Sequence, residues 1–224
     1  LKLGPYELNG EVYVGDSKEL AKEIPDESIQ LIHTDPPYPK EFEQVYYDMG
    51  VYAPRILKPG GSLITLCGHH QVPLVIDAMK GLSWHWMGWM VHSGPKRTLF
   101  GYKIVCGGKP LLWFSKGPAR PIDYGFWWDT KEIRGMKRDK EHHEWGQSAA
   151  YIIQDLNTLT NKDDIIFDPF AGGGTCAAVC KMLGRNYLTF EIDPEQAKIA
   201  TARIAGTNPP LFTLHHNQLE LIGE

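Results

Sequence analysis

Residues 35–38 read Asp35-Pro36-Pro37-Tyr38, directly after an apolar stretch that ends in Thr34. Two adjacent prolines remove two backbone N–H groups and hold φ near about −65° at both positions. The carbonyls nearby are left to accept from another molecule. Asp35 adds a carboxylate acceptor, and Tyr38 adds a flat ring. A stiff acceptor pair beside an aromatic face suits the exocyclic amine of a ring such as adenine. The Asp35 carboxylate and the Pro36 carbonyl can take its two N–H bonds. Held that way, a nitrogen whose lone pair is delocalised into the ring turns towards tetrahedral geometry and aims that pair at a methyl donor. Tyr38 can stack on the ring, a contact worth roughly 1–3 kcal/mol. A strand that merely ends in a proline turn would carry the same four residues.

A second candidate lies late in the chain. Asp168-Pro169-Phe170-Ala171-Gly172-Gly173-Gly174-Thr175 joins an apolar strand pattern to a helical one. Successive glycines let backbone approach a ligand with no Cβ in the way. The helix start beyond them offers unpaired N–H groups to a phosphate or a carboxylate. The spacing is that of neither a P-loop nor a clean dinucleotide fingerprint. Glu191 closes the next predicted strand, where an acid can accept from two ribose hydroxyls. A nicotinamide dinucleotide and S-adenosylmethionine both carry such a ribose. The nicotinamide reading leaves Asp35–Tyr38 unexplained, and a loop glycine-rich for packing alone is the plainest alternative.

These groups need elements to hold them. Strand patterns run over 11–15, 28–34, 62–67, 84–91, 111–115, 164–168 and 187–191. Helical patterns run over 17–24, 51–57, 72–80, 147–159, 174–183 and 194–204. Residues 40–48 read as a loop or irregular helix and 58–61 as a turn. Residues 117–144 show no sustained period, and the tail after Gly206 has little signal. Alternation of this kind predicts an α/β fold: a doubly wound, mostly parallel, Rossmann-like sheet with helices on both faces. In such sheets ligands bind at the carboxyl ends of the strands. Asp16, Asp35, Asp168 and Glu191 all fall there. The 224 residues suit one domain.

The chain resembles the amino-methyltransferases of nucleic acids, in particular the β-ordered group of DNA N6-adenine and N4-cytosine enzymes. The residues that carry this are Asp35-Pro36-Pro37-Tyr38, the loop Asp168 to Thr175, Glu191, the Leu57 to Gly61 turn, Trp113 to Gly117 and Gly15-Asp16-Ser17, in that order of catalytic motif first and cofactor loop last. The resemblance spans most of residues 11–204. It implies a methyltransferase using S-adenosylmethionine, with DNA as partner and Asp35, Pro36, Pro37 and Tyr38 as catalytic motif. It places Asp16, Ser17, Asp35, Asp168, Phe170, Ala171, Gly172, Gly173, Gly174, Thr175 and Glu191 around the cofactor. Trp145-Gly146-Gln147-Ser148 is similar to the family's motif before the last helix, which adds Gln147 and Ser148, although Ser148-Ala149 replaces the usual Lys-Pro. Asp rather than Ser at position 35 favours adenine N6 over cytosine N4; RNA could be methylated by the same chemistry.

Residues 117–144 occupy the family's target-recognition slot. Phosphate contacts need cations and base readout favours Arg. The expected set is Lys40, Lys96, Arg97, Arg120, Lys131, Arg134, Lys137, Arg138 and Lys140, with Tyr124, Phe126, Trp127 and Trp128 able to stack or wedge. A solvated loop over a small aromatic core is the bland reading of the same segment. It is short enough that a second copy of the chain, as a homodimer, could assist. Since the amine lies inside a duplex, the base must be flipped out or single-stranded. The net charge of −4 limits any basic surface to a local strip. No run of about 18 apolar residues exists to span a membrane. The chain begins at Leu1 rather than Met, which suggests a trimmed or processed start, and no secretory pattern follows. Four scattered cysteines fit a reducing cytoplasm, bacterial or that of a viral host cell. No metal site is expected: Cys176 and Cys180 lack a second pair, and the adjacent histidines His69-His70, His142-His143 and His215-His216 lie on different segments.

Overall fold

A computed structural model describes residues 1–92, 97–99, 103–122, 126–133, 149–208, 212–215 and 218–221. The chain opens with two short strands, β1 (Lys2–Leu3) and β2 (Tyr6–Glu7), then β3 (Tyr13–Val14) and helix α1 (Ser17–Leu20). Strand β4 (Ile29–Thr34), helix α2 (Gln44–Ile56), strand β5 (Leu57–Leu66) and helix α3 (Val72–Ala78) follow. Strands β6 (Ser83–His92), β7 (Arg97–Leu99), β8 (Ile104–Cys106), β9 (Gly108–Ser115) and β10 (Thr130–Ile133) lead to helix α4 (Ala150–Leu159). The last units are β11 (Ile165–Asp168), α5 (Thr175–Leu183), β12 (Asn186–Glu191), α6 (Pro194–Gly206), β13 (Phe212–His215) and β14 (Gln218–Leu221).

Eight strands form one sheet in the order β10-β6-β9-β5-β4-β11-β12-β3. Every neighbouring pair is parallel except those of β9, which runs antiparallel to both β5 and β6. The mostly parallel sheet of the sequence reading is therefore present. β4 sits in the middle and all six of its residues are buried, as a strand covered on both faces requires. Successive residues of β5, β9 and β11 divide between two cores. Leu63, Leu112, Phe114 and Phe167 join Tyr46, Met49, Ala53 and Ile56 of α2 on one face. Ile64, Leu111, Trp113 and Ile166 join Tyr151, Ile152 and Leu156 of α4 and Cys176, Ala177, Val179 and Cys180 of α5 on the other.

Several boundaries differ from those read in the sequence. Residues 40–48 hold a 3₁₀ turn at Lys40–Phe42 and the start of α2, whose buried Tyr46, Met49, Ala53 and Ile56 follow the helical period. The 58–61 turn is instead part of β5, with Gly60 at φ +78° and its N–H donated to the Lys116 carbonyl at 2.8 Å. Within 117–144, Thr130–Ile133 is an edge strand of the main sheet, too short to show a period. The tail contributes the antiparallel pair β13 and β14. Among the described residues no helix is long and apolar enough to cross a membrane.

Candidate active site

Strands β4, β11, β12 and β3 are parallel neighbours, so their carboxyl ends open on one edge. Asp35, Asp168, Glu191 and Asp16 stand at those four ends. Short bonds tie the edge together. The Thr34 hydroxyl donates to Asp168 Oδ1 at 2.8 Å, joining the end of β4 to the end of β11. The Phe170 N–H donates to the same oxygen at 3.1 Å, and the Ala171 N–H reaches the Phe190 carbonyl at 2.8 Å. The Gly172 N–H donates to Glu191 Oε2 at 2.8 Å. The Gly15 N–H donates to the Glu191 carbonyl at 2.9 Å, which brings Asp16 beside that acid. Asp16 caps α1 through the Lys18 N–H at 2.9 Å, and Ser17 is buried in the first turn.

The glycine turn needs its glycines. Gly172 and Gly174 lie at φ +50° and +73°, the left-handed region. A Cβ on Gly174 would stand 3.0 Å from that of Ala200, so α5 and α6 approach closely at this point. Helix α5 then starts without a side-chain cap. Arg203 of α6 clamps the turn, donating to the Gly173 carbonyl at 3.2 Å and to Thr175 Oγ1 at 2.9 Å. Asp168 is buried within this framework. Burial pushes its carboxyl up to about 6, against the lowering effect of the Thr34 and Phe170 bonds. Its bonds shape the turn from inside.

Asp35 is half-buried one residue beyond the Thr34–Asp168 bond, and the Tyr38 hydroxyl donates to its Oδ1. Lys109 completes this group. Its ammonium lies 2.9 Å from the Tyr38 hydroxyl oxygen, 3.5 Å from Asp35 Oδ2 and 4.6 Å from the centre of the Tyr38 ring. Gln71 holds the Tyr38 carbonyl at 2.8 Å and accepts from the Gly68 N–H at 3.0 Å. Burial lifts the Tyr38 hydroxyl well above the ordinary tyrosine range, and the Asp35 charge adds to it, so the hydroxyl keeps its proton. Sequence reasoning missed Lys109. Because β9 runs against its neighbours, its first residues, and not its last, lie at the carboxyl edge of the sheet. The available signal was a lysine opening an otherwise apolar strand.

A second unforeseen group lies under this edge. His33 Nε2 is 3.0 Å from Asp155 Oδ2, and the Lys131 ammonium is 2.7 Å from Asp155 Oδ1. Trp127 Nε1 donates to that same Oδ1 at 2.7 Å, with the Lys131 ammonium 4.6 Å from a Trp127 ring centre. All three charged side chains are about 1% exposed or less. Burial works against a charged His33, yet the bonds to Asp155 and Cys176 outweigh it and raise the imidazole to about 10.

These contacts correct two of the expected DNA contacts. Lys131 is sealed inside the protein by its pair with Asp155 and is not available to phosphate. Arg120 donates to Asp164 at 3.1 Å, just ahead of β11, and so lies at the opposite end of the sheet from Asp35. Lys40 is exposed two residues after Tyr38. Arg97 belongs to β7. Lys96, Arg134, Lys137, Arg138, Lys140, Tyr124, Gln147 and Ser148 lie outside the described residues. Trp127 packs on Trp113 at 5.0 Å, whereas Phe126 and Trp128 are exposed.

Residues 29–202 match the family model described as DNA methylase, that of the N6 and N4 methyltransferases. The chain is 25% identical to DNA adenine methyltransferase YhdJ of Escherichia coli (strain K12), over 85% of this chain and 81% of that protein. The crystal structure of an M1.HpyAVI–SAM complex superposes with a TM-score of 0.72 at 25% identity, covering 87% of this chain and 98% of that one. PvuII DNA methyltransferase, a cytosine-N4-specific protein, superposes with a TM-score of 0.76 at 20% identity, covering 87% and 86%; this likeness is one of fold. A match that runs from the strand before Asp35, through the glycine turn, to the helix after Glu191 makes this chain a member of the N6/N4 DNA methylase family.

Proposed function

We propose that this chain transfers a methyl group from S-adenosylmethionine to the N6 amine of an adenine flipped out of DNA. One observation carries the reading: the Thr34–Asp168 bond joins the strand end bearing Asp35 directly to the strand end bearing the glycine turn. An amine gripped at the first and a donor seated at the second would share one edge of the sheet.

The residues fit the cofactor by the chemistry of their donor set. The uncapped start of α5 suits an amino-acid carboxylate, the left-handed glycines leave the approach open, and Glu191 suits ribose hydroxyls. Asp16 and Ser17 at the neighbouring strand end, and Phe170 within the turn, complete the pocket. Bound there, S-adenosylmethionine supplies an electrophilic methyl carbon on a sulfonium. Asp35 and the Pro36 carbonyl hold the two N–H bonds of the amine and turn its lone pair out of the ring. Tyr38 stacks on the base. As the nitrogen bonds to that carbon, the carbon–sulfur bond would break to leave a neutral thioether, and one of the amine's protons passes to Asp35 or to water. Orientation and the fixed negative charge of Asp35 beside the developing cation supply most of the acceleration. Exposed Lys40, with Phe126 and Trp128, gives the DNA a cation and aromatic faces to meet.

Asp at position 35 supports adenine. Digesting methylated DNA to nucleosides tests the reading: N6-methyldeoxyadenosine is expected, N4-methyldeoxycytidine would replace adenine by cytosine, and an unmodified digest would refute methyl transfer to DNA.

A further inference from the structure

The Tyr38 hydroxyl is held between two opposite partners. It donates to Asp35 and accepts from the Lys109 ammonium at 2.9 Å. The edge of an aminated base has the same polarity: its amine donates, and the ring nitrogen beside the amine accepts. Asp35 and Lys109 Nζ, 3.5 Å apart, therefore form a matched acceptor–donor pair for such an edge. Flipped bases are read in this way, by hydrogen bonds to an edge and by stacking.

We infer that Lys109 is a substrate-contacting residue whose ammonium donates to the ring nitrogen flanking the reacting amine, in the place the Tyr38 hydroxyl fills in this structure. This rests on the methyl-transfer reading above. When the base enters, its amine takes the Asp35 oxygen and its ring nitrogen takes the Lys109 proton, and Tyr38 gives up both bonds to present its ring face. Lys109 is suited to that exchange. Its side chain is 28% exposed, so it has room to follow the base. It opens the one strand whose start lies at the carboxyl edge, so the sheet holds its backbone in place. A ring carbon in place of the nitrogen would leave the ammonium facing a C–H.

The test uses a duplex in which the methylated adenine has been located by sequencing, together with duplexes carrying 1-deazaadenine or 7-deazaadenine at that position. Lys109→Met is expected to lower kcat/KM on the parent duplex by roughly tenfold to a hundredfold, the range for a hydrogen bond to a charged group. One deaza duplex should cost the unaltered protein about as much, and Lys109→Met should add little further loss on it. Lys109→Arg, which keeps a cationic donor, should recover part of the rate. An undiminished rate for Lys109→Met overturns the inference. So does a Lys109→Met loss that is the same on both deaza duplexes as on the parent, which would mean that Lys109 only steadies Asp35 and Tyr38. Failure of the unaltered protein to methylate any DNA overturns the underlying reading and this inference with it.

Discussion

Two of the carboxylate–lysine pairs in this chain, Asp35–Lys109 and Asp155–Lys131, differ in almost everything but charge. Asp35 and Lys109 lie 3.5 Å apart at the edge of the sheet, with side chains 24% and 28% exposed. Asp155 and Lys131 lie 2.7 Å apart under the same edge, with side chains 0% and 1% exposed. The first pair shares its partners with the Tyr38 hydroxyl, which the proposed base would displace. The second is closed by His33 and Trp127. Removing charges from water is repaid only when every lone pair and proton is satisfied. Removing one member of the sealed pair therefore leaves a buried charge unmet, while the open pair stands where the proposed substrate would enter.

Breaking the open pair should change chemistry and leave folding alone. Asp35→Ala is expected to lower methyl transfer by roughly 10²–10⁴-fold, the range for a positioned acid–base group. Calorimetry should find S-adenosylmethionine binding retained, and the urea midpoint should correspond to a change of about 1 kcal/mol or less. Full activity in this variant would remove Asp35 from the reaction. Breaking the sealed pair should do the reverse. Asp155→Ala leaves His33 and Lys131 buried without their anion, a loss of about 3–5 kcal/mol in urea unfolding.

Titration sharpens the contrast. His33 is raised from 6.5 to about 10 in the folded state, so its contribution to stability is whole below pH 6.5 and is lost as pH rises through about 10. Asp168 is raised from 3.8 to about 6, so its contribution is whole below pH 3.8 and is lost as pH climbs through about 6. Each slope is at most about 1.4 kcal/mol per pH unit. Urea midpoints measured from pH 4 to pH 10 should show both falls. His33→Gln should flatten the upper one and Asp168→Asn the lower; an unchanged profile in either variant would contradict the assignment. The smallest effect is at the cofactor end of the open edge. Glu191→Gln should weaken S-adenosylmethionine by roughly tenfold to a hundredfold in calorimetry, with kcat at saturation little altered.

The open edge was largely legible in the sequence because its parts are local. A proline pair, a glycine run and an acid at a strand end do their work within a few residues of one another, and their chemistry follows from backbone rules. Alternation of strand and helix was enough to bring Asp16, Asp35, Asp168 and Glu191 to one side. Lys109 escaped because its place depends on strand direction: it meets Asp35 across the sheet, and periodicity does not say which way a strand runs. Lys131 was misread because a lysine in a basic stretch looks solvated until its partner is known. That partner, Asp155, was visible as a lone acid among Tyr151, Ile152, Leu156 and Leu159 on the buried face of a helix, and His33 as a lone imidazole in an apolar strand. Neither signal names its partner, since each pairing spans a long stretch of chain.

The bond between Lys131 and Asp155 has a consequence for how the sheet is closed off. Lys131 lies on β10, the outermost strand, and Asp155 on α4, so one ion pair pins the rim of the sheet to that helix from inside the protein. A four-residue strand at the margin of a sheet has one neighbour to bond to, and here the charge pair gives it a second anchor. Cutting that anchor should loosen the far margin first, while the strands that bear Asp35 and Glu191 keep a neighbour on both sides.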